Sequence, residues 1–200
     1  MYYRTNLTVR QIGRLVGISK SAVDRVIHHL GPLVALAPVT GKHSPETVLI
    51  VDGTLVPTHD RTVAARSKNY RHSTNVQVVI DANTLLVVAV GNPLPGNRND
   101  CRAFTESTVD RSCVGATVMA DGGYQGTGVI MPYRQRSDGT ALPAWQEELN
   151  TVHRRIRARV EHALAQMKNW KILRDCRRKD NGVWLAALGV AQLRNLSMTG

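Results

Sequence analysis

The chain has 200 residues, enough for one sizeable core with a small appended unit, and its 26 Lys and Arg against 15 Asp and Glu give a formal charge of +11. At 42% hydrophobic residues it is not a disordered basic tail, and the cationic excess calls for a polyanionic partner, most simply nucleic acid. No apolar run approaches the roughly 20 residues of a membrane span, Met1 to Asn6 lacks a signal-peptide core, and the three cysteines have no zinc-type spacing, so the reading is a cytoplasmic protein with reduced thiols and no membrane partner.

The first patterned stretch runs from Leu7 to Ile27. Thr8 caps a short helix with Ile12, Leu15 and Val16 inward, Gly17 supplies a left-handed turn, and Ser19 caps a second helix with Val23, Val26 and Ile27 inward. Gly13, four positions before the turn, lets two helices cross closely, which is the steric demand of a DNA-reading helix-turn-helix. Residues 1–37 therefore predict such a unit, with Lys20, Ser21, Asp24, Arg25 and His28 outward as base and phosphate contacts; an ordinary helical hairpin with a solvated charged face is the plainer alternative. Two short helices cannot bury a core alone, and little chain precedes Leu7, so the unit either leans on the rest or is incomplete. Residues 38–46, rich in Pro and Gly, read as a linker to a second domain over residues 47–200.

The apolar run Thr47 to Val51 ends in Asp52-Gly53, which places a carboxylate at a strand's end near the centre of a sheet, where something positive should meet it. Asn75 to Asp81 and Leu85 to Val90 flank a turn and predict a hairpin. The segment Pro93 to Asp100 leads into a helix around Cys101 to Val109, capped by Asn99 or Asp100. Thr117 to Gly126 repeats the grammar of the first carboxylate: a strand, then Asp121, then glycines that let the backbone approach a ligand closely. Val129 to Tyr133 reads as another short strand, and Arg134 to Trp145 as a polar loop.

From Glu147 to Lys171 a long helix is predicted, with Leu149, Val152, Ile156, Val160, Ala163 or Leu164, and Met167 inward. Beside that stripe stand Arg157, Glu161 and Lys168, so Glu161 is either half of an exposed helical salt bridge or a third metal ligand among phosphate-binding cations. Gly182 to Leu193 reads as a core helix. Two aspartates and a glutamate with no zinc ligands suit magnesium, with manganese as a substitute, and two such ions would serve nucleic-acid phosphoryl transfer.

The surroundings of Asp52 (VLIVDGT), Asp121 (VMADGGYQG) and Glu161 (RARVEHALAQMKNWKIL) resemble DDE transposases of insertion sequences, in particular the IS5-like group. Such enzymes set a Tyr, an Arg, the catalytic Glu and a Lys with two, three and six residues between them; here Arg157, Glu161 and Lys168 match, and Arg154 stands where the Tyr would be. The resemblance implies an α/β fold, a ribonuclease H-like mixed sheet flanked by helices, with the small all-α unit before it. It further implies binding to terminal inverted repeats, metal-dependent cleavage and strand transfer at Asp52, Asp121 and Glu161, contacts from Arg157 and Lys168 to double-stranded DNA, and a homo-oligomer on that DNA. The alternative is a truncated or domesticated relative that only binds DNA; a repair nuclease or ribonuclease with the same core is a third.

Overall fold

The computed structural model describes residues 1–38, 41–135 and 137–199; Val39 and Thr40 of the expected linker, Arg136 of the expected polar loop and Gly200 lie outside the described residues. In chain order the elements are α1 (Tyr2–Thr5), α2 (Val9–Val16), α3 (Lys20–Leu33), β1 (Val48–Pro57), β2 (Ser73–Asp81), β3 (Val87–Val90), β4 (Leu94–Pro95), α4 (Asp100–Glu106), a 3-10 turn (Val109–Cys113), β5 (Thr117–Met119), α5 (Ala144–Lys168), a second 3-10 turn (Lys171–Leu173) and α6 (Gly182–Thr199). The class is mixed α/β.

The sheet runs β3-β2-β1-β5, with β4 also paired to β2. β1 is antiparallel to β2 and parallel to β5. A continuous β-branched run suits a strand buried on both faces, and Leu49, Ile50 and Val51 have no exposed surface. Alternation along β1 and β2 divides the core into two layers. Ile50, Val56, Val76, Val78 and Ile80 meet α5 and α6 through Val160, Ala163, Met167 and Ala187. Leu49, Val51 and Val79 meet Phe104, Val109 and Tyr124 on the opposite face. By the same alternation Asp52 faces the α5 layer, whereas Gly53, Asn75 and Gln77 face the α4 layer.

The structure departs from the sequence reading at four places. β1 does not stop at Asp52; it continues to Pro57 because β2 pairs with it all the way to Ser73. Val129 to Tyr133 forms no strand, only a single bridge between Met119 and Ile130, as this segment finds one partner and no second edge. Leu149 and Val152 are 48% and 47% exposed, because the first part of α5 overhangs the core and the apolar stripe lies against it only from Ile156 to Met167. Leu15, Val16 and Val26 are also exposed, at 66%, 49% and 48%, since among the described residues nothing packs over that side of α2 and α3.

The hairpin, with Asp81 Oδ1 accepting from the Asn83 and Thr84 amides, and the apolar α6 follow expectation. So do the caps of the first helices: Thr8 and Gln11 form a reciprocal capping box, and Ser19 accepts from the Ala22 amide. The N-terminal helices are tied to the rest of the chain. Tyr2 and Tyr3 pack on the α5–α6 core, Asn6 donates to the Asp175 carbonyl at 2.7 Å, and Arg178 pairs with Asp24 at 3.0 Å.

Gly13 shows why α2 and α3 can cross: a Cβ there would lie 2.7 Å from the Ile18 carbonyl oxygen, a backbone atom that cannot swing away. Gly13→Ala should therefore cost about 1–3 kcal/mol locally. Its signature is faster hydrogen exchange at the Ile18 amide, which donates to the Gly13 carbonyl at 3.0 Å. Unchanged protection of that amide in the variant would refute the steric account.

Candidate active site

The parallel register pairs Val48 with Thr117, Leu49 with Val118 and Ile50 with Met119. The same offset carried two residues further sets Asp121 level with Asp52, just where β5 ends and β1 continues. Each carboxylate is anchored on one oxygen by a nearby backbone amide: Gly53 donates to Asp52 Oδ1 at 2.8 Å, and Gly123 to Asp121 Oδ1 at 2.7 Å. Burial and then the Asp121 carboxylate push the Asp52 carboxyl from its ordinary 3.8 up to about 6, with Asp100 adding to the rise and the Gly53 amide and Arg157 opposing it. Like charges held together in a half-buried setting demand a cation.

The cations nearest this pair come from α5. Arg157, Glu161 and Lys168 fall on one stripe of the helix, four and seven residues apart. Burial pulls the Lys168 ammonium below the usual lysine value, against the attraction of Asp52 and together with Arg174. Glu161 is turned away: it is half-exposed and its Oε1 meets Arg157 Nη2 at 2.5 Å. So the structure brings Asp52 and Asp121 together under Arg157 and Lys168, and leaves Glu161 paired along the helix. Among the described residues, no three Asp, Glu, His or Cys side chains converge closely enough to hold a metal ion. The donor set still fits a hard divalent ion, because among the described residues Asp52 and Asp121 each keep a second oxygen without a hydrogen-bond partner, and none of the described cations neutralises the pair by direct contact.

A groove opens beside Asp121, bounded by Gly122, Tyr133, His153, Arg154 and Arg157. Arg154, at the position of the expected Tyr, donates to Thr151 Oγ1 at 3.1 Å and is exposed. Across the molecule, Lys20, Ser21, Asp24, Arg25 and His28 are all exposed on α3, with Asp24 engaged by Arg178.

Reading the sequence left one polar network unseen. Tyr124, fully buried, donates its hydroxyl to Gln77 Oε1 at 2.5 Å and stacks edge-on against Phe104. Gln77, also fully buried, donates to Asn75 Oδ1 at 2.9 Å and to Asp100 Oδ1 at 3.2 Å, and Asn75 donates to Asp100 Oδ1 at 3.0 Å. Asn99 is the cap of α4, accepting from the Arg102 amide, which leaves Asp100 free to turn inward. The available signal was the pair Asn75 and Gln77, polar residues inside an otherwise β-branched strand.

Residues 43–196 match the family model for the transposase DDE domain. The whole chain is 60% identical over 200 residues to a Streptomyces albus G protein assigned as transposase for insertion sequence element IS112, of which it spans 77%. Among solved structures, a pre-cleavage Mos1 transpososome aligns over 96% of this chain and 74% of that one at 13% identity; its TM-score of 0.23 is too low to bear on the fold.

The raised Asp52 carboxyl carries a stability consequence for the metal-free protein. A carboxyl that holds its proton to higher pH when folded favours folding below about pH 4, and that contribution is lost as pH rises through about 6. In the presence of a chelator, Asp52→Asn should be more stable than the native chain at pH 7, on the order of 1 kcal/mol after allowing for partial exposure, with the difference gone below about pH 4. Melts across that pH range check this, and a less stable variant at pH 7 would show that Asp52 carries no repulsion.

Proposed function

The chain belongs to the transposase DDE domain family of insertion-sequence transposases, and from that premise we propose that it binds terminal inverted repeats and carries out metal-dependent DNA strand cleavage and strand transfer. DDE domains of this family use divalent metal ions. The observation that carries the proposal is the pair Asp52 and Asp121, level on adjoining parallel strands, one carboxyl raised to about 6, beneath the Arg157 and Lys168 stripe. The strand order, with the first Asp on the central strand and the second just past its parallel neighbour, supports reading residues 47–200 as a ribonuclease H-like catalytic domain.

Asp52, Asp121 and Glu161 would hold two magnesium ions, with manganese as substitute. When bound, such ions stabilise charge on the attacking and leaving oxygens of a phosphodiester. The rest falls to the chain. Asp52 must be deprotonated to bind a cation, and Arg157 and Lys168 neutralise and orient the phosphates of the transposon end. Glu161 reaches the pair only by leaving Arg157. That exchange is inexpensive, because an exposed helical ion pair is worth about 0.3–0.5 kcal/mol. The groove beside Asp121, with Arg154 and Arg157 on its wall, offers the DNA backbone a path past the carboxylates.

Residues 1–37 serve in this reading as a helix-turn-helix, joined to the catalytic domain through residues 38–46. Lys20, Ser21, Arg25 and His28 stand free on α3 for groove and phosphate contacts, while the Asp24 pair with Arg178 orients the helix pair on the catalytic domain. Terminal repeats occur in pairs, so a homo-oligomer on double-stranded DNA is part of the proposal, as is action in the bacterial cytoplasm at the nucleoid. No helix among the described residues is long and apolar enough to cross a membrane.

With magnesium or manganese and a duplex carrying its own terminal repeat, the protein should nick the repeat end. Asp121→Ala should keep repeat binding in a mobility-shift assay while cleavage falls at least a hundredfold; undiminished cleavage would remove Asp121 from the site. The double variant K20A/R25A should bind the repeat about ten- to a hundredfold more weakly with its cation affinity unchanged, and intact repeat binding would refute the assignment of α3 to the groove.

A further inference from the structure

Asp100 belongs neither to the cap of its helix nor to the expected triad. Its Oδ1 is held from one side by two neutral amide donors, Asn75 Nδ2 and Gln77 Nε2. Among the described residues no cation pairs with it: Arg98, two residues away, is bridged to Glu106 at 3.3 Å. It sits hard against the backbone of the site. A Cβ on Gly53 would collide with Asp100 Oδ1 and lie 2.6 Å from Gln77 Nε2, so only glycine after Asp52 allows this carboxylate to tuck behind the strand. On the other side, the place of a Cβ on Gly123 is 2.9 Å from Asp121 Oδ1 and 3.6 Å from Asp100 Oδ2, so the two carboxylates can be no farther apart than those distances together.

The seating also connects the two halves of the site. Gln77 accepts from Tyr124, three residues beyond Asp121, and donates to Asp100, which lies against the residue following Asp52. Reversing the Gln77 amide would set its Oε1 against Asp100 Oδ1 and Asn75 Oδ1, acceptor against acceptor, so the orientation of Gln77 is fixed by the acceptor-only Asp100 carboxylate and leaves Oε1 to receive the Tyr124 hydroxyl. A buried amide held at both ends in this way sets position rather than merely filling space.

We propose that Asp100 is a further residue of the site, a third negative charge seated behind Gly53 that strengthens the hold of Asp52 and Asp121 on divalent cations, with Asn75, Gln77 and Tyr124 as the positioning residues that keep it and the Asp121 loop in place. Asp100 lies on the α4 side of the sheet and Asp52 on the α5 side, so Asp100 acts through charge and not as a ligand. The inference rests on reading Asp52 and Asp121 as the cation site.

The test is manganese binding by titration calorimetry on the full chain, paired with melting in chelator. Asp100→Asn keeps the Oδ1 acceptor and removes the charge. Its manganese affinity should fall about tenfold while its metal-free melting temperature stays the same or rises, since a like charge beside Asp52 and Asp121 has gone. An affinity within twofold of the native chain would overturn the proposal. So would a weakened affinity accompanied by a lower metal-free melting temperature, or failure to fold, either of which makes Asp100 structural. Tyr124→Phe leaves every charge in place and frees one end of Gln77; it should weaken manganese binding several-fold and speed hydrogen exchange at the Gly122 and Gly123 amides, and native values for both would overturn the positioning role. Asp52→Asn separates the two readings: if the native chain binds manganese and Asp52→Asn does not, only the Asp100 variants decide this inference, whereas native and Asp52→Asn chains that bind alike would refute the cation site itself.

Discussion

Everything at the site depends on one constraint, the parallel pairing of β1 with β5. Leu49, Ile50 and Val51 are sealed inside the sheet with no exposed surface, and that burial fixes the register of the strand. A shift by one residue would send Asp52 to the α4 face and Leu49 and Val51 to the other, exchanging the two core layers. Hydrophobic burial thus places the carboxylate, at roughly 25 cal/mol for each Å² of apolar surface removed from water. The repulsion between Asp52 and Asp121 is a local cost that the buried strand offsets. The site is held in an unfavourable charge state by residues that carry no charge.

The two faces of the same strands divide the work. On the α5 side stand the cations, Arg157 and Lys168, where a polyanion can approach them from solvent. On the α4 side lies a polar seam in which the buried Asn75, Gln77 and Tyr124 reach the partly buried Asp100. A buried amide such as Gln77 without partners would cost a few kcal/mol; with them it adds direction that leucine could not. Gly53 links the faces, because the absence of a side chain lets the seam press directly on the strand that carries Asp52.

Much of this could be read from the residues, and the failures have physical causes. Asp52 and Asp121 announced themselves by the repeated grammar of apolar run, carboxylate and glycine. That grammar did not reveal that β1 runs on to Pro57, because strand length is set by a partner, β2, that only the fold supplies. The stripe on α5 was legible from Ile156 to Met167 but over-read at Leu149 and Val152, since periodicity defines a face and cannot say whether anything covers it. The same holds for Leu15, Val16 and Val26. Asp100 was obscured by Asn99: two residues able to cap stood side by side, and only the structure shows that Asn99 takes the cap.

Glu161 shows how an incomplete arrangement can still be a prepared one. It shares a stripe with Arg157 and Lys168, and in the metal-free chain its carboxylate is paired with Arg157 and half-exposed. While no cation is present, moving a third carboxylate toward Asp52 and Asp121 would add to a repulsion that already raises Asp52, and pairing with Arg157 is the lower-energy state. On the proposed reading, a divalent charge at the pair would reverse the sign of that balance. The weak helical ion pair then opposes the change by only about 0.3–0.5 kcal/mol, and its breaking frees Arg157 for a phosphate at the same moment. On the proposed reading, cation and phosphate would favour each other through this one side-chain exchange, with the sheet that fixes Asp52 and Asp121 left as it is.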